Sequence, residues 1–307
     1  MTTYKRILGG LVCLLIACFH AASVRADKPV AQTVEQAYPG LASGMLKKAT
    51  MVPMEKGNLL ATEGIEIRES ELDAKLEKAD PNIREQLRKN LFFILEQEAM
   101  GALLVKEARS STGAIKDLSD EELIQAYLDK KFRDIHVSDD GAKAFYEANK
   151  EMVGGLPFEQ VKATIIQVMT QQKKQDAFAA YLQGLGGNAD IRVNKEWVKA
   201  QYALSKDNPV DKARMSGKPT MVEFGAKGCV PCDMMQPILD NLKKKYPENL
   251  NVVFVHVGEN QVLGARYGIR SIPVQVFFDR NGQEVSRHVG FYAENEVMKE
   301  LAKLGVK

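Results

Sequence analysis

Apolar residues recur at helical spacing almost without interruption from Ser70 to Gly186, and from about Trp197 the rhythm changes to short apolar runs that alternate with amphipathic segments. The two rhythms predict a multidomain chain: a mostly α-helical N-terminal domain over 61–196 and an α/β domain over 197–307. The helical stretch carries physical start signals. Asp80-Pro81 sets a cap before a first-turn proline, Ser119-Asp-Glu-Glu122 is a capping box, Ser138 is a cap, and Leu156-Pro157 opens the last helix, for about five helices in all. The predicted helix Asn82–Arg109 contains Leu91-Phe-Phe-Ile-Leu95, which is apolar around most of its circumference and belongs in the middle of the domain. In the helix from Pro157 to Leu185 the apolar stripe is broken by a polar gap at Gln171 to Gln175, so this helix is expected to bridge two packing surfaces. Gly184-Leu-Gly-Gly187 should end it, ahead of a short strand at Ile191-Arg-Val193. Residues 27–60, with Pro29, Pro39-Gly40 and Pro53 among small residues, read as an extended lead-in.

In the C-terminal part the predicted order is strand Thr220–Phe224, helix Val230–Tyr246, strand Leu250–Val257, short helix Asn260–Tyr267, strands Val274–Asp279 and Glu284–Val289, and a closing helix Glu294–Leu304. Asn281-Gly282 marks a hairpin between the last two strands. The order is βαβ followed by ββα.

The first 26 residues read as an export signal. Lys5-Arg6 precede an apolar run from Ile7 to about Ala22, and small residues stand where cleavage after Ala26 would need them. Leu15-Ile16-Ala17-Cys18 also resembles the lipobox of bacterial lipoproteins, which would make Cys18 a lipid anchor. Both readings take the working part of the chain out of the cytoplasm, to the periplasm in a bacterial cell. Beyond residue 26 no apolar stretch approaches the ~20 residues that cross a bilayer. Three of the 42 basic residues, Lys5, Arg6 and Arg25, lie in the signal, so the remainder is near neutral against 40 acidic residues and makes no electrostatic case for nucleic acid.

Of four cysteines, only Cys229 and Cys232 lie outside the N-terminal segment. Two thiols two residues apart at the mouth of a predicted helix can exchange disulfides reversibly. A thiol is a nucleophile as its thiolate, and a helix N-terminus favours the anion through unpaired N–H groups and the helix dipole. The bland alternatives are an inert disulfide or half a zinc site. The latter would have to draw on His136, His256 or His288, since no second cysteine pair exists. No metal and no cofactor beyond the thiols themselves is expected.

Over roughly the last 110 residues that element order, with Phe224-Gly-Ala-Lys-Gly-Cys-Val-Pro-Cys-Asp-Met-Met-Gln-Pro-Ile-Leu239 and Tyr267-Gly-Ile-Arg-Ser-Ile-Pro273, resembles thioredoxin. The resemblance implies a thioredoxin fold with Cys229 as nucleophile and Cys232 as resolving thiol, the two forming the redox disulfide. It makes Pro273 a cis-proline that, with Ile272 before it, flanks the substrate disulfide. It further makes Glu223 a buried acid beneath the site, Val230 and Pro231 the residues between the thiols, and Pro237 a kink in the active-site helix. The chain departs from the family at Gly228 and Gly225, where thioredoxin carries aromatics, and at Phe254, where a lysine usually neighbours the buried acid. The surface around Cys229 should therefore be more open and Glu223 harder to ionise. Ile272 is the choice of the reductants.

The helical part has a fainter likeness to SurA-type and trigger-factor-like periplasmic chaperones. It rests on strand-like Leu59 to Ile67, Ser70-Glu-Leu-Asp73, the long helix after Asn82, Ser138 to Asn149 with Phe145-Tyr146, the returning Pro157 helix and Ala189-Asp-Ile-Arg-Val193. Only Glu151-Met-Val-Gly-Gly155 stands where many relatives insert a parvulin domain, so prolyl isomerase activity is not expected. A helical spacer or dimerisation module is the bland alternative. The expected function is that of an exported protein-disulfide reductase or oxidoreductase, acting on cysteine-containing client proteins and supplied by a membrane or soluble electron-donor thiol protein. The rivals are a periplasmic chaperone (holdase) with an accessory redox site and a dedicated reductant in cytochrome c maturation.

Overall fold

The computed structural model describes residues 31–112, 118–148, 150 and 155–307. The N-terminal segment read as a signal, with Cys18, and residues 151–154 of the short linker lie outside them. The helical half consists of α1 (Val34–Ala37), strands β1 (Thr50–Val52), β2 (Asn58–Thr62) and β3 (Ile65–Arg68), and helices α2 (Glu69–Lys78), α3 (Pro81–Lys89), α4 (Leu91–Thr112), α5 (Asp120–Lys131), α6 (Asp139–Ala148) and α7 (Phe158–Asn188). Strand β4 (Arg192–Asn194) and α8 (Lys195–Ser205) complete it. The four short strands form one sheet in the order β1-β4-β2-β3. Its core gathers Leu46, Leu59, Leu60, Leu72, Phe92, Leu95, Val193 and Val198.

Four expectations are corrected here. Residues 31–60 are not an extended lead-in: Val34, Leu41, Leu46, Met51 and Leu59 are buried in that core. Their apolar positions have no regular period because short pieces, including a 3-10 turn at Met45–Lys48, deliver them one at a time. The Glu96 carboxylate on α4 secures this turn, accepting from the backbone N–H groups of Ser43, Gly44 and Leu46 at 2.8, 2.9 and 2.9 Å. The strand-like Leu59–Ile67 is a hairpin, turned at Glu63 and Gly64, both at positive φ. The helix predicted over 82–109 breaks at Asn90, whose side-chain N–H donates to the Gln86 carbonyl at 2.8 Å while its own backbone leaves the helical region. Six helices, not about five, therefore lie between Glu69 and Asn188 among the described residues. Finally, Gly184–Gly187 does not stop α7, which runs on to Asn188. Gly186 is there for close approach, since its bare Cα faces Met45 in the 3-10 turn.

The polar gap in α7 separates two contact regions. Phe158, Val161 and Ile165 pack with Val137 and Ala142, while Tyr181 packs with Ala108, Leu123 and Tyr127.

The second half comprises α9 (Pro209–Arg214), β5 (Thr220–Gly225), α10 (Val230–Lys245), β6 (Asn251–His256), α11 (Gln261–Arg266), β7 (Val274–Phe278), β8 (Glu284–Val289) and α12 (Glu294–Lys303). The sheet order is β6-β5-β7-β8, with β5 parallel to β6 and the other pairs antiparallel. The central strands β5 and β7 are buried along their whole length, as layers on both faces require. Met221 and Phe277 pack beneath α10 and α12, against Met235, Leu239 and Leu301. Val222, Phe224 and Val276 face the other way, toward Val210 and Leu263 of α9 and α11. The two halves meet at hydrogen bonds from Gln86 to Glu259 (2.9 Å), from Arg266 to the Gly40 carbonyl (3.1 Å) and from Arg214 to the Pro39 carbonyl (3.4 Å).

Candidate active site

Cys229 is the N-cap of α10, in extended conformation at φ −91° and ψ 107°. Its carbonyl accepts the Asp233 N–H at 2.9 Å, so the residue sits where the first helical N–H groups have no intrahelical acceptor. Gly228, at φ +79°, turns the chain into this position, and nothing lies within 4 Å of where a side chain there would begin. Cys229 is partly exposed, whereas Cys232, one turn inward, is 4% exposed. The two are joined in a disulfide with their Cα atoms 5.2 Å apart. Pro231 occupies the first turn, where its missing N–H costs nothing, and Val230 between the thiols is 71% exposed. Pro237 stands inside α10 on its exposed side, at the point where the resemblance implied a kink.

The Ile272–Pro273 peptide is cis, Pro273 is buried and Ile272 is partly buried. The Pro273 carbonyl accepts the Gly290 N–H at 2.8 Å, tying the loop to the end of β8.

Glu223 lies in the middle of β5 and is fully buried. It shares a strand face with Met221, which packs under α10, and with Gly225, where an added Cβ would stand 3.5 Å from Cys232 Sγ. The open space expected at Gly225 is thus occupied by Cys232 and by the ring of Phe254, while that at Gly228 is free. Across the sheet Glu223 pairs with Phe254 on one side and Gln275 on the other. Burial pushes the Glu223 carboxyl up to about 7, opposed only by the hydrogen bond that Gln275 Nε2 donates to it at 3.3 Å. Gln275 was not singled out from the sequence, although an amide between Val274 and Val276 in a strand without polar alternation was a usable signal.

His136, His256 and His288 each have partners of their own. His136 is in the helical half, and His288 stacks on Tyr292 at a centroid separation of 3.9 Å. His256 accepts the Lys227 N–H at 3.4 Å beneath the active-site loop. Among the described residues no group of three or more His, Cys, Asp or Glu could hold a metal.

Comparison with known proteins agrees with this geometry. The thioredoxin family model matches residues 202–303. Thioredoxin 1 of Synechococcus elongatus is 36% identical over 88 residues, spanning 29% of this chain and 81% of the relative. The thioredoxin of Rickettsia bellii is 33% identical over 84 residues, spanning 27% of this chain and 79% of the relative. The chain belongs to the thioredoxin family. Among solved structures, the X-ray structure of Fasciola hepatica thioredoxin aligns with 28% of this chain and 81% of its own at 30% identity, with a TM-score of 0.27. Membership makes the Cys229–Cys232 pair that of a thioredoxin-type disulfide oxidoreductase. The thioredoxin match begins at residue 202, so residues 31–201, which carry α1 to α7, lie outside it.

Proposed function

We propose that this chain reduces or reshuffles disulfides in exported client proteins, with the helical half holding the client beside the dithiol. The observation that carries the reading is the placement of Cys229 at the N-terminus of α10 with Cys232 buried one turn behind it. In the dithiol form, the unpaired N–H groups and the helix dipole favour the Cys229 thiolate. That thiolate attacks one sulfur of the client disulfide, forming a mixed disulfide and expelling the other client sulfur as a thiolate. Cys232 then gives its proton to the Glu223 carboxylate and attacks Cys229 Sγ. The second client thiolate leaves and takes a proton from solvent, and Cys229–Cys232 is a disulfide again. An external dithiol, soluble or membrane-borne, restores it. Exposed Val230 and Met234, four residues apart on one face of α10, and Ile272 at the cis-proline offer an apolar margin to an unfolded segment.

A cleft of about 890 Å³ favours the client-holding role of the helical half. Phe93, Met100, Phe178 and Leu182 line it from α4 and α7 alongside the polar Gln97, Gln172 and Asp176, and Ser271 of the cis-proline loop with Arg287 and Val289 of the edge strand β8 line its other side. Methionine and aromatic side chains adapt to varied apolar partners. Support for export comes from Lys5-Arg6, the apolar run and the small residues before Asp27, with Cys18 as the alternative lipidated start. Among the described residues no helix is long and apolar enough to cross a membrane.

The test is a trap. In a Cys232→Ser protein the mixed disulfide should persist, and mass spectrometry of what is attached to Cys229 should find varied exported proteins. A catch confined to cytochromes would reassign the chain to their maturation. Insulin reduction unchanged by Cys229→Ser would overturn the catalytic reading, and suppression of client aggregation surviving that substitution would measure the holding role by itself.

A further inference from the structure

Gln275 is fully buried, and its strand neighbours place it in a row that crosses the sheet beneath α10. The registers give that row as Phe254, Glu223, Gln275 and His288. The amide of Gln275 donates from Nε2 to Glu223 Oε2 at 3.3 Å. Two buried oxygens of the same pair, Glu223 Oε1 and Gln275 Oε1, have no hydrogen-bond partner. Both are acceptors, and what the pair lacks is one donor. A proton on the carboxyl supplies it: the acid O–H then donates to the amide oxygen while the amide N–H donates to the acid, and both orphan oxygens are satisfied. When the carboxyl is ionised, the amide N–H still donates to it. A primary amide offers a donor to the carboxylate and an acceptor to the acid O–H, which no apolar residue and no lone donor could do.

We propose that Gln275 is a positioning residue that keeps the Glu223 carboxyl hydrogen-bonded through its whole proton cycle, and so tunes the transfer of the Cys232 proton to Glu223. This rests on the reading of Glu223 as the acceptor of that proton. The other groups around Glu223 leave the task to Gln275. Phe254 faces it from β6, and α10 contributes Cys232, while Asp233 of that helix is exposed. On β6, His256 pairs with Gly225 and is turned to Lys227. On β8, His288 is stacked on Tyr292 and lies 3.1 Å from the Phe291 carbonyl. On α12, Glu300 is engaged by Lys303 and Ser286, and Glu296 by Lys299. Asp211, Arg214 and Arg266 bind one another from α9 and α11, on the other side of the sheet.

The oxidised full-length protein isolates the group, because its active-site cysteines do not titrate. Infrared difference spectra against pH should show a protonated carboxyl band that vanishes with a midpoint near neutrality, and Glu223→Gln should abolish it. In Gln275→Leu the ionised carboxyl loses its one charge-assisted donor while the neutral acid loses two weaker bonds; because the Gln275 hydrogen bond holds the carboxyl down, the midpoint should rise, by up to about one pH unit, a tenfold gain in proton affinity. Gln275→Met, which keeps the unbranched shape, should do the same and guards against a packing defect. The single-turnover release of a peptide from its mixed disulfide with Cys229 should shift its pH profile in the same direction. A midpoint unchanged in both variants overturns the proposal. If Glu223→Gln also leaves the release profile unchanged, the failure lies with Glu223 as acceptor; if it alters that profile, only the role of Gln275 fails.

Discussion

Phe254 stands opposite Glu223 in the parallel register of β5 and β6, and its ring edge comes within 3.0 Å of where a side chain on Gly225 would begin. A buried acid here has an aromatic ring where most thioredoxins, by the resemblance, offer a cation. The ring gives the carboxylate no charge and no hydrogen bond, so burial dominates and the carboxyl is pushed up to about 7.

Replacing Phe254 by lysine should reverse this. An ammonium facing Glu223 favours the ionised form, and the carboxyl should titrate at least one pH unit lower. Infrared titration of the oxidised protein reads the shift directly. An unchanged midpoint would show that the lysine turns away to solvent.

The raised Glu223 carboxyl also makes stability depend on pH, with a definite sign. In the folded chain it holds its proton up to about pH 7, whereas in the unfolded chain it ionises near the ordinary glutamate value. Its contribution is complete below the unfolded value and falls away as pH rises through the folded one. The loss amounts to about 3 kcal/mol. Urea unfolding of the oxidised protein at pH 5 and pH 8 should show native stability dropping relative to Glu223→Gln. Parallel curves for the two proteins would contradict the buried, neutral acid.

The α/β half was legible because each of its elements is signed by local chemistry. Cys229 before Pro231 marks a helix start, Asn281-Gly282 a hairpin, and Met221–Phe224, apolar but for Glu223, a central strand. The helical half was legible where caps are local, as at Ser119 and Asp80, whose side chains accept from Glu122 and Asn82 N–H groups. It was misread where a distant partner decides. Glu96 gathers the 43–46 turn from some fifty residues away, and Gly186 meets Met45 across the fold, so neither the buried lead-in nor the uninterrupted α7 has a local signature. The pairing of Gln275 with Glu223 depends on strand register, which a single strand's sequence does not contain.

Gly184 and Gly186 give a paired test of that lesson. Both lie within α7, where alanine is preferred to glycine by about 1 kcal/mol. Nothing lies within 4 Å of a side chain added at Gly184, so Gly184→Ala should stabilise the protein by up to about that amount. A methyl at Gly186 would run into Met45 Cγ and, worse, its backbone carbonyl, which cannot turn aside. Gly186→Ala should therefore destabilise by roughly 1–3 kcal/mol despite its better helix propensity. Chemical denaturation of the two variants should move the midpoint in opposite directions, and equal shifts would show that α7 does not rest on the 3-10 turn.

Asp211 holds the two halves together by orienting two buried arginines. Fully buried, it accepts from Arg214 Nε at 2.6 Å, Arg266 Nη1 at 2.7 Å, Asn208 Nδ2 at 2.6 Å and the Tyr267 hydroxyl at 3.0 Å. The same guanidiniums donate to the carbonyls of Pro39, Gly40 and Gly282. Burial by itself would push the Asp211 carboxyl up, but Arg266, Arg214 and Asn208 outweigh it and hold it below the usual carboxylate range. Its stabilisation is thus present above the unfolded value and lost as pH falls through the folded one. Asp211→Asn leaves two buried cations without a counter-charge and should cost about 3–5 kcal/mol, the usual penalty for breaking a buried pair from one side. Because the arginines reach Pro39 and Gly40, hydrogen exchange in residues 40–46 should accelerate more than exchange in β5, beyond what global destabilisation explains. Uniform acceleration would mean that Asp211 supports the α/β half alone and that the turn at Gly40 is held by its own core contacts.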